Sequence, residues 1–275
     1  MKKSLFVVVA CCFVVFAGAF AQAQQDESKK LSVFHAGSLS KAMADIGKAF
    51  TAETGTPVAL TGSGSGSLRQ RIEKGERPGV FASADMENPA ALAAKGLADA
   101  PVPFTRNVLC VLAKKSVGIT QANLVAKLSD PSVKLGTSTP VLDPGGDYAW
   151  KMFDLADSLK PGAAAALKAK AIKLVGDPAL AMPPKEYPRS QIAWHIEEGR
   201  ADVFLVYLTT ARLAVAELPG LEIIELPKKL AVGAQYGLTM VTGVTGARPE
   251  ATQFKAFVLG PKGQAILEGY GFQKP

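Results

Sequence analysis

Apolar positions in this chain fall into two kinds of pattern that take turns along it: short unbroken runs, and sets at helical spacing. Leu31-Ser32-Val33-Phe34 reads as a buried strand. After Ser38 the apolar residues Leu39, Met43, Ile46 and Phe50 recur at spacings of 4, 3 and 4, which is one face of a helix. Gly55 ends that helix, and Pro57-Val58-Ala59-Leu60 opens a second strand. Leu68 and Ile72 continue four apart as a second helix. Val80-Phe81-Ala82-Ser83-Ala84-Asp85 then predicts a third strand, followed by an alanine-rich helix near Pro89 to Gly96. Each of the first two strands hands over to its helix through a serine-glycine turn, Ala36-Gly37-Ser38 and Gly62-Ser63-Gly64-Ser65-Gly66-Ser67.

A second alternating unit follows. Val108 to Ala113 predicts a strand, as does Lys134-Leu135-Gly136-Thr137, and Leu142-Asp143-Pro144-Gly145-Gly146-Asp147-Tyr148 is a tight turn. Ala149, Met152, Phe153, Ala156 and Leu159 mark a helix after it, with Asp147 as its expected cap. Ile172 to Val175 is a strand, Ile192 to Glu198 a helix, and Ala201 to Tyr207 a strongly apolar strand. Leu238 to Val241 returns as a strand, and two short helices close the chain. Alternation of this kind predicts an α/β fold of two lobes, each a mostly parallel sheet flanked by helices, with the C-terminal segment returning to the first lobe. The expected division is residues 29–110 plus 234–275 for lobe 1 and 111–233 for lobe 2. In such sheets ligands sit beyond the carboxyl ends of the strands, where both serine turns, Asp85 and Tyr207 lie.

The N-terminus changes the cellular picture. Lys2 and Lys3 precede an apolar run from Leu5 to Phe20, and Ala21-Gln22-Ala23 offers a small-residue cleavage site. Residues 1–23 therefore read as a secretory signal peptide, the run being short for a membrane span. Its removal takes 31 basic residues to 29 against 24 acidic ones, a formal net charge of +5 with no basic cluster of the nucleic-acid-binding kind. It also removes Cys11 and Cys12, leaving Cys110 in an apolar stretch where a buried, inert thiol is expected. With no disulfide, stability must come from a core, which about 250 residues can supply.

Two helix N-termini brought together, each with a hydroxyl and free N–H groups, make a place for a small anion. The alternatives for these motifs are blander or different. The run 62–67 could be a flexible linker, but it is short and tightly bracketed by apolar elements. It is not a nucleotide P-loop, because Leu68 and Arg69 stand where Lys and Ser/Thr are required. A secreted hydrolase using Ser38 or Ser65 would need His35 or His195 within reach; His35 is expected to be structural and His195 to face solvent. Asp85, Asp143 and Asp147 could support a hard cation, although Asp in such turns is commonly an N-cap.

Taken together, Val33-Phe34-His35-Ala36-Gly37-Ser38-Leu39, Gly64 to Gly75, Val80 to Asp85, Asp143 to Ala149 and Glu198 to Tyr207 give the mature chain a resemblance over nearly its whole length. It resembles the periplasmic molybdate-binding proteins of ABC importers, a branch of the two-lobed type II solute-binding proteins. The resemblance implies a periplasmic protein, not an enzyme, that works as a monomer without a cofactor or nucleic acid. It would capture molybdate or tungstate in the interlobe cleft and pass it to an inner-membrane permease. It also implies a site made of the hydroxyls of Ser38, Ser65 and Tyr207 and of backbone N–H groups near Gly145 and Arg189. Neutral donors suit a fully deprotonated dianion, which offers only acceptors, whereas a carboxylate lining the site would repel it. One departure is Arg189, where the family places a small apolar residue; a guanidinium contact there would favour another oxyanion, such as sulfate or phosphate.

Overall fold

Strand β1 (Leu31–Ala36) and helix α1 (Ser40–Thr54) are joined by one tight turn over Gly37–Leu39 in the computed structural model, which describes residues 30–243 and 248–275. The predicted signal peptide lies outside the described residues. Leu39, Met43, Ile46 and Phe50 are all fully buried, as their spacing requires, and Gly55 ends α1 in the left-handed region at φ 74°. Strand β2 (Val58–Ser63), helix α2 (Ser65–Glu73), strand β3 (Val80–Ser83) and helix α3 (Glu87–Ala94) complete the first unit. The long strand β4 (Val102–Lys114) leads out of it.

The second unit comprises α4 (Leu124–Ser129), β5 (Leu135–Ser138), α5 (Pro144–Ala156), α6 (Ala163–Lys170), β6 (Ile172–Val175) and α7 (Gln191–Glu197). Strand β7 (Val203–Tyr207) runs directly into α8 (Leu208–Glu217), and β8 (Leu221–Glu225) follows. Strand β9 (Gly233–Met240) leads back to α9 (Arg248–Leu259) and α10 (Pro261–Gly269). Phe254 and Phe257 of α9 meet Phe50 of α1 edge-on at 5.1 and 5.7 Å, so the C-terminal segment is packed into the first lobe.

The sheet order is β2-β1-β3-β9-β4-β7-β5-β6, with β8 also on β4. β1 pairs in parallel with β2 and β3, and β5 in parallel with β6 and β7. All pairings of β4 and β9 are antiparallel, so each lobe is mixed rather than mostly parallel. The cause is topological: the chain crosses between lobes on these two strands, in opposite directions. β4 changes partners midway, lying against β9 over Val102 to Val108 and against β7 and β8 beyond it. The expected lobe boundaries at 110/111 and 233/234 fall in these strands.

β4 and β9 both begin about five residues before their apolar runs suggest. The extra β4 residues include Thr105, Arg106 and Asn107, and Asn107 is buried with its amide donating to Thr209 at 2.8 Å. Two further readings change. The cap of α5 is Asp143, whose Oδ1 accepts from the Gly145 N–H at 2.8 Å, while Asp147 inside the first turn accepts instead from the Val141 N–H. His195 does not face solvent. It is buried, its ring 4.8 Å from that of Trp194, because α7 is enclosed along Ile192 to Ile196.

Candidate functional site

Because β1 and β2 run in parallel and in register, their carboxyl ends deliver both serine turns to the same edge of the first lobe. Ser38 Oγ lies 2.9 Å from Tyr236 Oη, a hydroxyl pair in which either group can donate. Ser65 is fully buried in the first turn of α2, where its Oγ accepts from the Ala84 N–H at 3.0 Å. A hydroxyl that has accepted in this way still has its proton to donate. Asp85, at the end of β3, accepts from Ser83 Oγ, from the Asn88 N–H at 3.0 Å and from the Asn88 side chain. It thereby bonds to the first turn of α3, whose N-cap is Met86, and burial raises its pKa.

The second lobe faces these groups with Ser138, Asp143, Gly145 and Tyr207. The Tyr207 hydroxyl is buried and, among the described residues, makes no hydrogen bond of full geometry; it interacts more weakly with the Tyr236 hydroxyl, the ring centroids lying 5.7 Å apart. Burial and its acidic and phenolic neighbours hold that hydroxyl protonated far above the usual tyrosine range. The Gly145 N–H, one of the expected backbone donors, is engaged by Asp143. Burial pushes the Asp143 carboxyl up to about 6, against the opposing effect of that N–H.

Ser38, Ser65, Gly145 and Tyr207 line one cavity of about 720 Å³, with Asp143 in its wall. Arg189 is not on that wall. Its Nη1 donates to Glu197 Oε1 at 2.6 Å, and Tyr187 donates to the same carboxylate. The neighbouring Ser190 does line the cavity, but its N–H donates to Glu217 Oε2 at 2.7 Å, and Glu217 pairs across to Lys41 at 3.4 Å. The lobes touch beside the cavity, where Ser67 donates through its N–H to the Leu142 carbonyl and through its Oγ to the Gly176 carbonyl, both at 3.2 Å.

Neither histidine stands on the cavity wall. His35 is buried with Nδ1 2.9 Å from its neighbour's carbonyl at Ala36, and His195 is in the core of the second lobe, so neither histidine shares the cavity wall with Ser38 and Ser65. Among the described residues no group of three or more His, Cys, Asp or Glu side chains is placed to hold a metal ion.

Tyr236 and Asn107 were not found from the sequence. Both lie in the early halves of β9 and β4, where no apolar run marks a strand; the period-two set Ala234, Tyr236 and Leu238, all buried, is the signal that was available.

A family model described as bacterial extracellular solute-binding protein matches residues 31–273. A molybdate-binding protein of Escherichia coli is 28% identical over 275 residues, covering 98% of this chain and 96% of its own. Among solved structures, the periplasmic molybdate-binding protein of Azotobacter vinelandii superposes with a TM-score of 0.71 at 21% identity, covering 89% of this chain and 99% of its own. The sulfate-binding protein of Mycobacterium tuberculosis does so with a TM-score of 0.73 at 15% identity, covering 90% and 87%. These two likenesses establish a common two-lobed fold.

Proposed function

Since the chain belongs to the bacterial extracellular solute-binding proteins, we propose that it captures a small oxyanion, molybdate or tungstate, between its lobes. It then delivers the anion to the inner-membrane permease of an ABC importer. Export by the N-terminal signal peptide, residence in the periplasm and action as a monomer complete the reading. No bond is made or broken in this role, no cofactor or nucleic acid takes part, and neither histidine shares the cavity wall with Ser38 and Ser65.

One observation carries it: three hydroxyl-bearing residues, Ser38 and Ser65 from one lobe and Tyr207 from the other, line one cavity, and among the described residues the buried Tyr207 hydroxyl makes no hydrogen bond of full geometry. A buried polar group left unsatisfied is costly, and an anion supplying the missing acceptor offsets that cost. The E. coli relative, named for molybdate, supports this choice of anion. Arg189 adds no argument for a different ion, because its guanidinium is committed to Glu197.

Calorimetric titration of the purified protein against molybdate, tungstate, sulfate and phosphate tests the assignment. Heat is expected with molybdate and tungstate, and a Ser38→Ala, Ser65→Ala double variant should bind at least about 100-fold more weakly, as expected for two lost bonds to a charged ligand. Heat with sulfate and none with molybdate overturns the choice of anion, and full affinity in the double variant overturns the site.

The size of the cavity favours a second reading. About 720 Å³ lies within the range of about 300–1,000 Å³ that holds organic ligands. An organic phosphate whose phosphoryl group occupies the serine end would use that space. Its mark would be tighter binding of the ester than of inorganic phosphate.

A further inference from the structure

Asp143 puts a carboxyl group in the cavity wall on the second lobe's side, where Ser138, Gly145 and Tyr207 are neutral. It is held from two sides. Oδ1 accepts the Gly145 N–H at 2.8 Å, and the Ser138 hydroxyl acts on the same carboxyl to lower its pKa. Opposite, Gly176 at φ 91° approaches so closely that a Cβ built on it would lie 2.8 Å from Oδ2 and 2.3 Å from the Asp143 Cβ. Only a glycine at 176 leaves room for this carboxyl. Gly176 is itself tied to the other lobe through Ser67, so the group is fixed at the seam where the lobes meet.

Its charged surroundings are acidic. Asp147 acts on it from α5 and Asp85 from the end of β3, while Tyr207 of β7 and Tyr236 of β9 face it with protonated hydroxyls. Lys41, Arg212, Asp177 and Glu268 also line the cavity, but among the described residues no cation pairs with Asp143. An ionised carboxylate accepts hydrogen bonds and cannot donate one, and the same is true of molybdate, tungstate and sulfate. Set side by side they repel. One proton between them turns the repulsion into a hydrogen bond.

Resting on the oxyanion reading above, we infer that Asp143 sets the specificity of the cleft by requiring one proton between its carboxyl and the bound anion. A fully deprotonated anion binds with the transfer of one proton from solvent to Asp143. Hydrogen phosphate brings its own proton and donates it to the carboxylate. The burial that brings the carboxyl up to about 6 keeps the cost of protonation small near neutrality. The sign follows: below about pH 6 molybdate affinity is flat on this account, and above it affinity falls by about tenfold per pH unit as the proton becomes scarcer.

The test is calorimetry with molybdate, and separately with phosphate, between about pH 5 and 8.5 in buffers of different ionisation enthalpy. Molybdate binding at pH 8 should take up close to one proton, and phosphate binding less. Asp143→Asn keeps the acceptor for Gly145 and supplies a permanent N–H donor in place of the acid proton. It should bind molybdate with no pH slope and, at pH 8, at least about tenfold more tightly than the wild type. Wild-type binding of molybdate without proton uptake, or an unchanged slope in Asp143→Asn, overturns the inference and leaves the oxyanion reading standing. The proton count on the wild type decides the matter even if the variant folds poorly. Absence of heat with all four oxyanions at every pH overturns the oxyanion reading, and the inference with it.

Discussion

A buried phenol without a partner costs a fold about 1–3 kcal/mol, whereas a hydrogen bond from it to a charged ligand returns about as much. Tyr207, which among the described residues makes no hydrogen bond of full geometry, is close to that case, and this gives its removal opposite effects on stability and on binding. Tyr207→Phe should leave the ligand-free protein as stable as the wild type or about 1 kcal/mol more so in denaturant titrations. The same variant should lose about tenfold or more in oxyanion affinity by calorimetry. Loss of both together would make the hydroxyl structural. At this scale the sequence was informative where turn chemistry marks strand ends: Ser38, Ser65 and Tyr207 could be singled out because each follows a readable strand. Asp143 could be read as a possible cap, but not as part of the wall. What puts it there is the approach of Gly176 from the far side of α5 and α6, a tertiary contact with no local sign. His195 was misread for a related reason, since a short helix with mixed residues gives no hint that both its faces are covered.

Among elements, those buried on both faces were the easiest to read. The centre of β4 and all of β7 are continuous apolar runs because helices or neighbouring strands cover them on every side. The early half of β4 and of β9 gives no apolar run because buried polar residues such as Thr105 and Asn107 interrupt the apolar ones there. α8 and β8 were also missed, being short and weakly patterned. The centre of β4 holds Cys110, paired across to Val206 on one side and Glu225 on the other, with burial pushing its thiol up to about 12. Such a thiol is almost wholly protonated at pH 8, and only the thiolate is a strong nucleophile. In protein prepared without residues 1–23, which hold Cys11 and Cys12, Cys110 should resist an aromatic disulfide reagent at pH 8 and react at once in denaturant. Native-state labelling as fast as that of a free thiol would mean that β4 opens locally, without global unfolding.

At the scale of the whole molecule, the two lobes meet at a very close approach of backbone. One contact is between the first turn of α2 and the loop before α5, where backbone meets backbone and the Ser67 hydroxyl adds a bond to the Gly176 carbonyl. A Cβ built on Gly66 would lie 1.8 Å from the Val141 carbonyl oxygen, and one on Gly64 would lie 2.3 Å from that of Leu142. The nearest obstacles in both cases belong to the second lobe, and none is a flexible side chain that could move aside. Val141 meets the helix in the left-handed region at φ 71°, a strained state for a β-branched residue, held by its N–H bond to Asp147. Gly66→Ala is therefore a substitution that the first lobe tolerates and the closed molecule does not. Within α2 alanine favours the helix by about 0.5–1 kcal/mol over glycine, so the ligand-free variant should unfold no earlier than the wild type. In contrast, the added methyl would hold the lobes apart by roughly an ångström and so oppose closure. If the binding-competent state is the closed one, its population sets the apparent affinity, and a drop to about one part in a hundred weakens binding about 100-fold. Small-angle scattering with saturating molybdate should then show the wild type compact and Gly66→Ala as extended as an open form. A variant that compacts and binds like the wild type would mean that the seam at Gly66 is not where the molecule closes.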